Sequence, residues 1–388
     1  MGVHVKRLVV CCDGTWNAAD QQDTGGLPTP TNVTKIALSI ADQDHSGNDQ
    51  LVFYQAGVGT KRSERFFGGA FGYGLSRNVR DVYRFVVRNF EPGDQLYFLG
   101  FSRGAYTARS AAGLIRNSGI LRRENSDLID EAFSLYRDRS SATEPDSVAA
   151  RLFRRLNSHE SRIRFIGVWD TVGAYGIPLS GSRLVHAVNR HWRFHDRVLS
   201  SKVDAAFQAL AIDEKRRPFK PAIWERSPKQ STEQRVEQVW FSGVHSDVGG
   251  GYAQTGLSDI ALIWMANNAH QWGLQFRRDT IFANPALVNV YEERDLPITE
   301  NPLMTPGHKS LKGFYRLLPP RHRRIGEKYA SSESAACTAV QRAGGVKGDQ
   351  EGAAGYRPKN LVRYLDQTER RITDLDLQRA GSTLAVAV

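Results

Sequence analysis

Ser102 stands in the segment DQLYFLGFSRGAYTAR, Asp94 to Arg109, where an apolar run ends in G-x-S-x-G and gives way to a stretch rich in small residues. A serine in that context becomes a nucleophile when a tight strand-to-helix turn lifts its hydroxyl clear of the sheet, and Gly100 and Gly104 supply the steric room such a turn needs. The hydroxyl requires a base, and the base requires a carboxylate to fix its tautomer. In this arrangement the three groups follow in the order serine, acid, histidine, each at a strand end. The run RFIGVWDTVG places Asp170 at the end of the next apolar stretch, and VWFSGVHSDVGGGY places His245 at the end of a later one, before a glycine loop. Ser102, Asp170 and His245 are therefore the expected catalytic residues. Asp247 is the alternative acid, although an aspartate two positions along a loop more often bonds its own backbone. His186, His191 and His195 fall in a basic polar stretch and His270 in a helical pattern, where ordinary surface or core roles suffice.

An attack on a carbonyl also needs donors for the oxyanion. A helix starting after Ser102 aims its first amides at the site, so Arg103 N–H is one expected donor. The loop in CCDGTWN supplies the second, from Gly14 or Thr15, if its strand lies beside the serine strand; Asp13 is then a brace for that loop. Two other functions fit some of the same residues. Asp13, Asp170, His245 and Asp247 all fall at strand ends and could form an oxygen-rich metal site for phosphoester hydrolysis, but the D-x-D pair of such enzymes is missing around Asp13. A hydrolase-like scaffold could instead bind an anionic partner without catalysis. The segment YQAGVGTK lacks the G-x-x-x-x-G-K-[ST] register, which argues against nucleotide binding.

The elements that must position these groups alternate in period. Strand-like runs occur at 7–12, 51–55, 95–100, 164–169 and 236–244. Helical spacing follows Thr31 and Asn32 (Val33, Ile36, Ala37, Ile40) and Ser76 (Val79, Val82, Tyr83, Val86, Phe90). Further helices are expected at 105–117, 203–212 and 258–272. The fold expected is α/β: a hydrolase-like three-layer sandwich with a mainly parallel central sheet and helical insertions. The polar stretch 122–160, with a helical pattern near 128–136, is either a cap over a pocket or a plain surface excursion. The glycine–aromatic run 65–74 is either a rim gripping an acyl chain or packing beneath a loop. Beyond Asn301 the pattern is loop-like, with a last helix expected near 361–377 and a disordered GSTLAVAV end.

At 388 residues with 40% hydrophobic and 24% charged residues, the composition excludes disordered, collagenous and membrane-embedded classes. The net charge is +11, and more than half of the excess follows residue 300. Solvated surface charge is the simplest reading of that bias; a basic tail could attract nucleic acid or an anionic membrane surface and does not itself choose between them. The partners expected are an ester substrate and peripheral membrane contact, not nucleic acid. Three cysteines, two of them adjacent, make neither a disulfide framework nor a CxxC metal pattern. The start shows no secretory signal, no apolar run is long enough to span a bilayer, and Lys6 breaks the myristoylation pattern, so the expected location is cytoplasmic.

Taken together, VVCCDGTWN, YQAGVGT, LYFLGFSRGAYTAR, IGVWDTVGAYG, VWFSGVHSDVGGGY and YRPKNL resemble the DUF2235 family. These α/β hydrolases include the catalytic domains of type VI secretion phospholipase effectors (Tle1-like). The resemblance implies a serine hydrolase that cleaves carboxylic esters of phospholipids or other lipids through an acyl-enzyme, with no metal or organic cofactor. By motif it assigns the nucleophile to Ser102, the base to His245 and the acid to Asp170. It also implies non-classical, type VI export and, for an effector, a cognate immunity protein. The expected hydrolase domain is 1–365, followed by a tail, 366–388.

Overall fold

Alternate side chains of the central strands feed two separate apolar layers, and this double burial dictates the architecture. In β1 (Arg7–Cys12), Val9 and Cys11 enter one layer while Leu8, Val10 and Cys12 enter the other. In β3 (Gln95–Phe101), Tyr97, Leu99 and Phe101 part in the same way from Leu96 and Phe98. Strands buried on both faces read as continuous apolar runs and need helices on each side, which is the condition of a parallel sheet. The computed structural model describes residues 5–57, 70–173, 198–225, 232–277, 280 and 305–375, apart from positions 16, 18, 19, 24, 139, 312–314, 317, 349–351 and 354.

The sheet has eight strands in the order β2-β1-β3-β6-β7-β8-β9-β10, and every pairing is parallel. The remaining members are β2 (Gln50–Gln55), β6 (Ile163–Trp169), β7 (Val203–Ala211), β8 (Arg235–Phe241), β9 (Glu333–Ala336) and β10 (Ile372–Thr373). A separate antiparallel pair joins β4 (Ile120–Leu121) to β5 (Ser158–His159). One face is covered by α1 (Asn32–Ser39), α7 (Gly256–Gln271), α8 (Cys337–Arg342) and α9 (Lys359–Leu365). The other carries α2 (Ala70–Asn89), α3 (Arg103–Ser118) and α4 (Ile129–Arg137), with α5 (Val148–Asn157) against α3. A five-residue helix, α6 (His245–Gly249), follows β8. The layers are those of an α/β-hydrolase-like three-layer sandwich, as the sequence implies.

Several expectations need correction. Residues 203–212 form β7, not a helix: this strand lies between β6 and β8, and all but one of its nine residues are buried, which erases the two-residue alternation. The last helix is short, and Ile372–Thr373 beyond it adds a strand, so the sheet continues past the expected domain limit at 365. Glu333–Ala336 and Cys337–Arg342 also break the loop expected after Asn301. The 122–160 excursion packs α4 and α5 along α3 and returns through β4 and β5 beside Ser118 and Gly119. That is the far end of a 16-residue helix, about 24 Å from its start, so this segment does not cap Ser102. Most of the 65–74 run, His186, His191, His195 and the GSTLAVAV end lie outside the described residues. Among the described residues no helix is long and apolar enough to cross a membrane.

Candidate active site

The chain leaves β1 in one direction to form β2, then returns to place β3 on the opposite side of β1. At such a reversal the loops after the two central strands diverge and leave a crevice at the strands' carboxyl ends. Ser102 follows β3 and Asp13 follows β1, so both stand at this crevice. Asp170 follows β6 and His245 the β8 loop, the next positions outward.

Ser102 has φ 58° and ψ −117° and is 5% exposed. Its N–H donates to Trp169 O at 2.9 Å, which pins the turn to the neighbouring strand. A non-glycine residue in this conformation stores on the order of 1–3 kcal/mol, held by the surrounding packing. The glycines earn their positions by contact: a Cβ on Gly104 would lie 2.1 Å from Cys12 O, and one on Gly100 would lie 2.7 Å from Gly104 O.

Ser102 Oγ lies 2.7 Å from His245 Nε2, and His245 Nδ1 lies 2.5 Å from Asp170 Oδ2. His245 opens α6, a short helix that lies between the end of β8 and Gly250, and Phe101 and Phe219 flank its ring at 4.6 and 4.9 Å. Burial pushes the imidazole below its ordinary value, and Asp170 opposes that only in part. The loop after β7 adds Glu214, fully buried, which accepts the His245 N–H at 3.4 Å and grips Arg216 through both oxygens.

Asp170 also has positive φ, 41°, and is completely buried. Burial alone would raise its carboxyl, but the adjacent Arg323 charge and the His245 contact hold it well below the usual carboxylate range. Arg323 Nη1 donates to Asp170 Oδ1 at 2.5 Å and Nη2 to Oδ2 at 3.0 Å, while the Ala211 N–H reaches Oδ1 at 3.1 Å. Arg323 has no counterpart in the sequence reading. It sits in RHRR, indistinguishable by type from its neighbours.

The alternative acid is engaged elsewhere. Asp247 accepts the Val244 N–H at 2.9 Å, where α6 begins, and binds His308 through its N–H at 3.1 Å and Nδ1 at 2.6 Å. Asp13 is saturated as well: Thr31, Thr34 and Tyr54 hydroxyls donate to Oδ2 at 2.7, 3.0 and 2.7 Å. Its other oxygen accepts the Gly14 N–H at 2.6 Å. Burial raises the Asp13 carboxyl, with these donors offsetting part of the shift. Of the metal-site alternative, Asp170 and His245 meet while Asp13 and Asp247 are engaged by other partners, and among the described residues no group of three His, Cys, Asp or Glu side chains is arranged to hold a metal.

β1 does lie beside β3, with Cys12 opposite Gly100, as the oxyanion expectation required. The Gly14 N–H, however, is spent on Asp13, which removes it as a donor to a ligand. Gly14 remains close to Ser102, since a Cβ there would meet Ser102 Cβ at 3.3 Å. The next residue, Thr15, is buried, and among the described residues its hydroxyl has no hydrogen-bond partner. Arg103 N–H is the first amide of α3, directly after Ser102.

Fold and site together define an α/β-hydrolase-like protein with a serine, a histidine and an aspartate in contact at the sheet's reversal point. The family model of the type VI secretion (T6SS) phospholipase effector Tle1-like catalytic domain matches residues 6–268, and the chain belongs to this family. The uncharacterized protein YEL023C of Saccharomyces cerevisiae is 27% identical over 245 residues, covering 58% of this chain and 33% of that protein. Among solved structures, an uncharacterized protein from Pseudomonas aeruginosa aligns with a TM-score of 0.44 and 20% identity over 70% of this chain and 46% of that one. The Tle1 effector bound to the VgrG spike aligns with a TM-score of 0.36 and 20% identity over 64% of this chain and 51% of that one. The chain spans about a third of the yeast relative and about half of each solved chain.

Proposed function

We propose that the protein is a serine esterase that cleaves the acyl esters of phospholipids. The observation that carries this reading is the unbroken contact from Ser102 Oγ through His245 to Asp170, with both histidine nitrogens used. Family membership supplies the substrate class.

In this reading Ser102 Oγ attacks the ester carbonyl while its proton passes to His245 Nε2. Asp170 holds Nδ1–H and stabilises the imidazolium. The oxyanion takes the Arg103 N–H and a donor from Thr15. Collapse expels the alcohol, which leaves with the proton from Nε2 and yields the acyl-enzyme. Water then gives a proton to the same nitrogen, attacks the acyl carbonyl and releases the fatty acid, restoring Ser102. Because burial keeps His245 neutral, it is ready to accept a proton at neutral pH.

The test compares wild type and Ser102→Ala on short p-nitrophenyl esters, phospholipid vesicles and a phosphodiester, with and without chelator. Serine-dependent, chelator-insensitive release of fatty acid from vesicles supports the reading. Phosphodiester cleavage that survives the substitution and is lost to chelator refutes it.

A further inference from the structure

The matched family domain ends at residue 268, yet the described segment 305–375 reaches back into the site. Tyr356 donates to Asp213 at 2.9 Å and Asn360 to Ile212 O at 2.9 Å, so the late YRPKNL block ties down the loop after β7. His308 holds Asp247 on α6. Arg323 goes further in, to the acid itself.

We propose that Arg323 is a positioning residue: anchored on two backbone carbonyls, its guanidinium orients both Asp170 oxygens, so that the catalytic unit of this chain includes a segment beyond the matched domain. The proposal rests on the serine-esterase reading above. Three observations carry it. The Arg323 side chain is 4% exposed, and its guanidinium is itself fixed by Ala211 O at 2.9 Å and Phe219 O at 2.6 Å. A planar fork meeting both carboxylate oxygens leaves the carboxylate one orientation, and that orientation sets Oδ2 against His245. Phe219, whose carbonyl Arg323 holds, also presses its ring edge on His245, so one side chain fixes both acid and base.

The charged groups around the base define what its loss would do. His245 faces Asp170 after β6, Ser102 after β3, and Glu214 with Arg216 after β7. Asp170 faces His245 and Arg323, and the Arg323 charge is also felt by Glu214. Removing Arg323 leaves the Asp170 charge to act on His245 undivided, which favours imidazolium. The acid limb of activity then moves to higher pH, an effect a merely structural contact does not produce.

Full-length wild type, Ser102→Ala, Arg323→Gln and Arg323→Lys are compared for p-nitrophenyl butyrate hydrolysis against pH, and the His245 imidazole is titrated by nitrogen NMR. For Arg323→Gln we expect kcat to fall about ten- to a hundredfold at nearly constant KM. The imidazole midpoint rises by about one pH unit. Arg323→Lys keeps the charge but not the fork, so kcat falls severalfold while the midpoint stays. A folded Arg323→Gln with wild-type kcat and midpoint overturns the proposal. Should that variant not fold, Arg323→Lys with wild-type kcat overturns it. Undiminished turnover by Ser102→Ala overturns the esterase reading instead, and the imidazole midpoint still decides whether Arg323 acts on His245.

Discussion

Gly104 and Cys12 are pressed together so tightly that a methyl group on the glycine would sit 2.1 Å from the Cys12 carbonyl oxygen and 2.5 Å from that of Asp13. The first turn of α3, after Ser102, is therefore seated directly on the end of β1. Gly104→Ala should force the two apart, at a cost of about 1–3 kcal/mol or more. Because the shift also moves Ser102, kcat should fall by more than the loss of folded protein explains. Denaturant unfolding and kinetics on the same preparation check both parts.

Asp170→Asn should lower kcat by on the order of 10⁴-fold, because an amide no longer stabilises the imidazolium or fixes its tautomer. It should also destabilise the fold by roughly 3–5 kcal/mol, since Arg323 keeps its charge in a buried site without a counter-ion. Turnover near wild type in a folded Asp170→Asn protein would remove Asp170 from the acid's role.

Asp247→Asn offers the contrasting outcome. This carboxylate holds the start of α6 and His308, so its loss should cost about 1 kcal/mol of stability, as for other helix caps. It should leave kcat within about tenfold of wild type, because it does not touch His245. A fall comparable to that of Asp170→Asn would reverse the choice between the two acids.

The pH dependence follows from His245, whose folded-state value lies below the ordinary imidazole value of about 6.5. The acid limb of kcat/KM should accordingly lie below about pH 6.5. The unfolded chain binds this proton more readily than the folded one. Stability should therefore fall as pH drops below about 6.5 and level off once the pH passes the folded value. His245→Gln should flatten that part of the stability curve, measured by unfolding at pH 5 and pH 8. An acid limb above the ordinary imidazole value would contradict this account.

The parts of the fold that were legible in sequence share a physical cause. β1, β3 and β6 carry β-branched and aromatic residues and end in polar or glycine-rich turns, so Ser102 and Asp170 could be placed at strand ends from residue type alone. β7, with the sequence VDAAFQALA, was not legible as a strand: its alanines favour a helix in isolation, and its burial on both faces hides the pleat. β9 and β10 are four and two residues long, too short to show any period. Asp247 and Asp170 could not be separated by spacing, since only their partners distinguish a carboxylate that caps α6 and meets His308 from one that meets His245. Arg323 was hidden for a similar reason, its partner lying 153 residues away.

The late arrival of that partner also has a meaning in time. Synthesis proceeds from the amino end, so Ser102, Asp170 and His245 leave the ribosome before Arg323, and β9 and β10 emerge after it to complete one side of the sheet. A nascent chain thus carries Ser102 and His245 well before the guanidinium that holds Asp170. On the proposed reading, competence to attack an ester arises only once the chain has grown 153 residues past the acid itself.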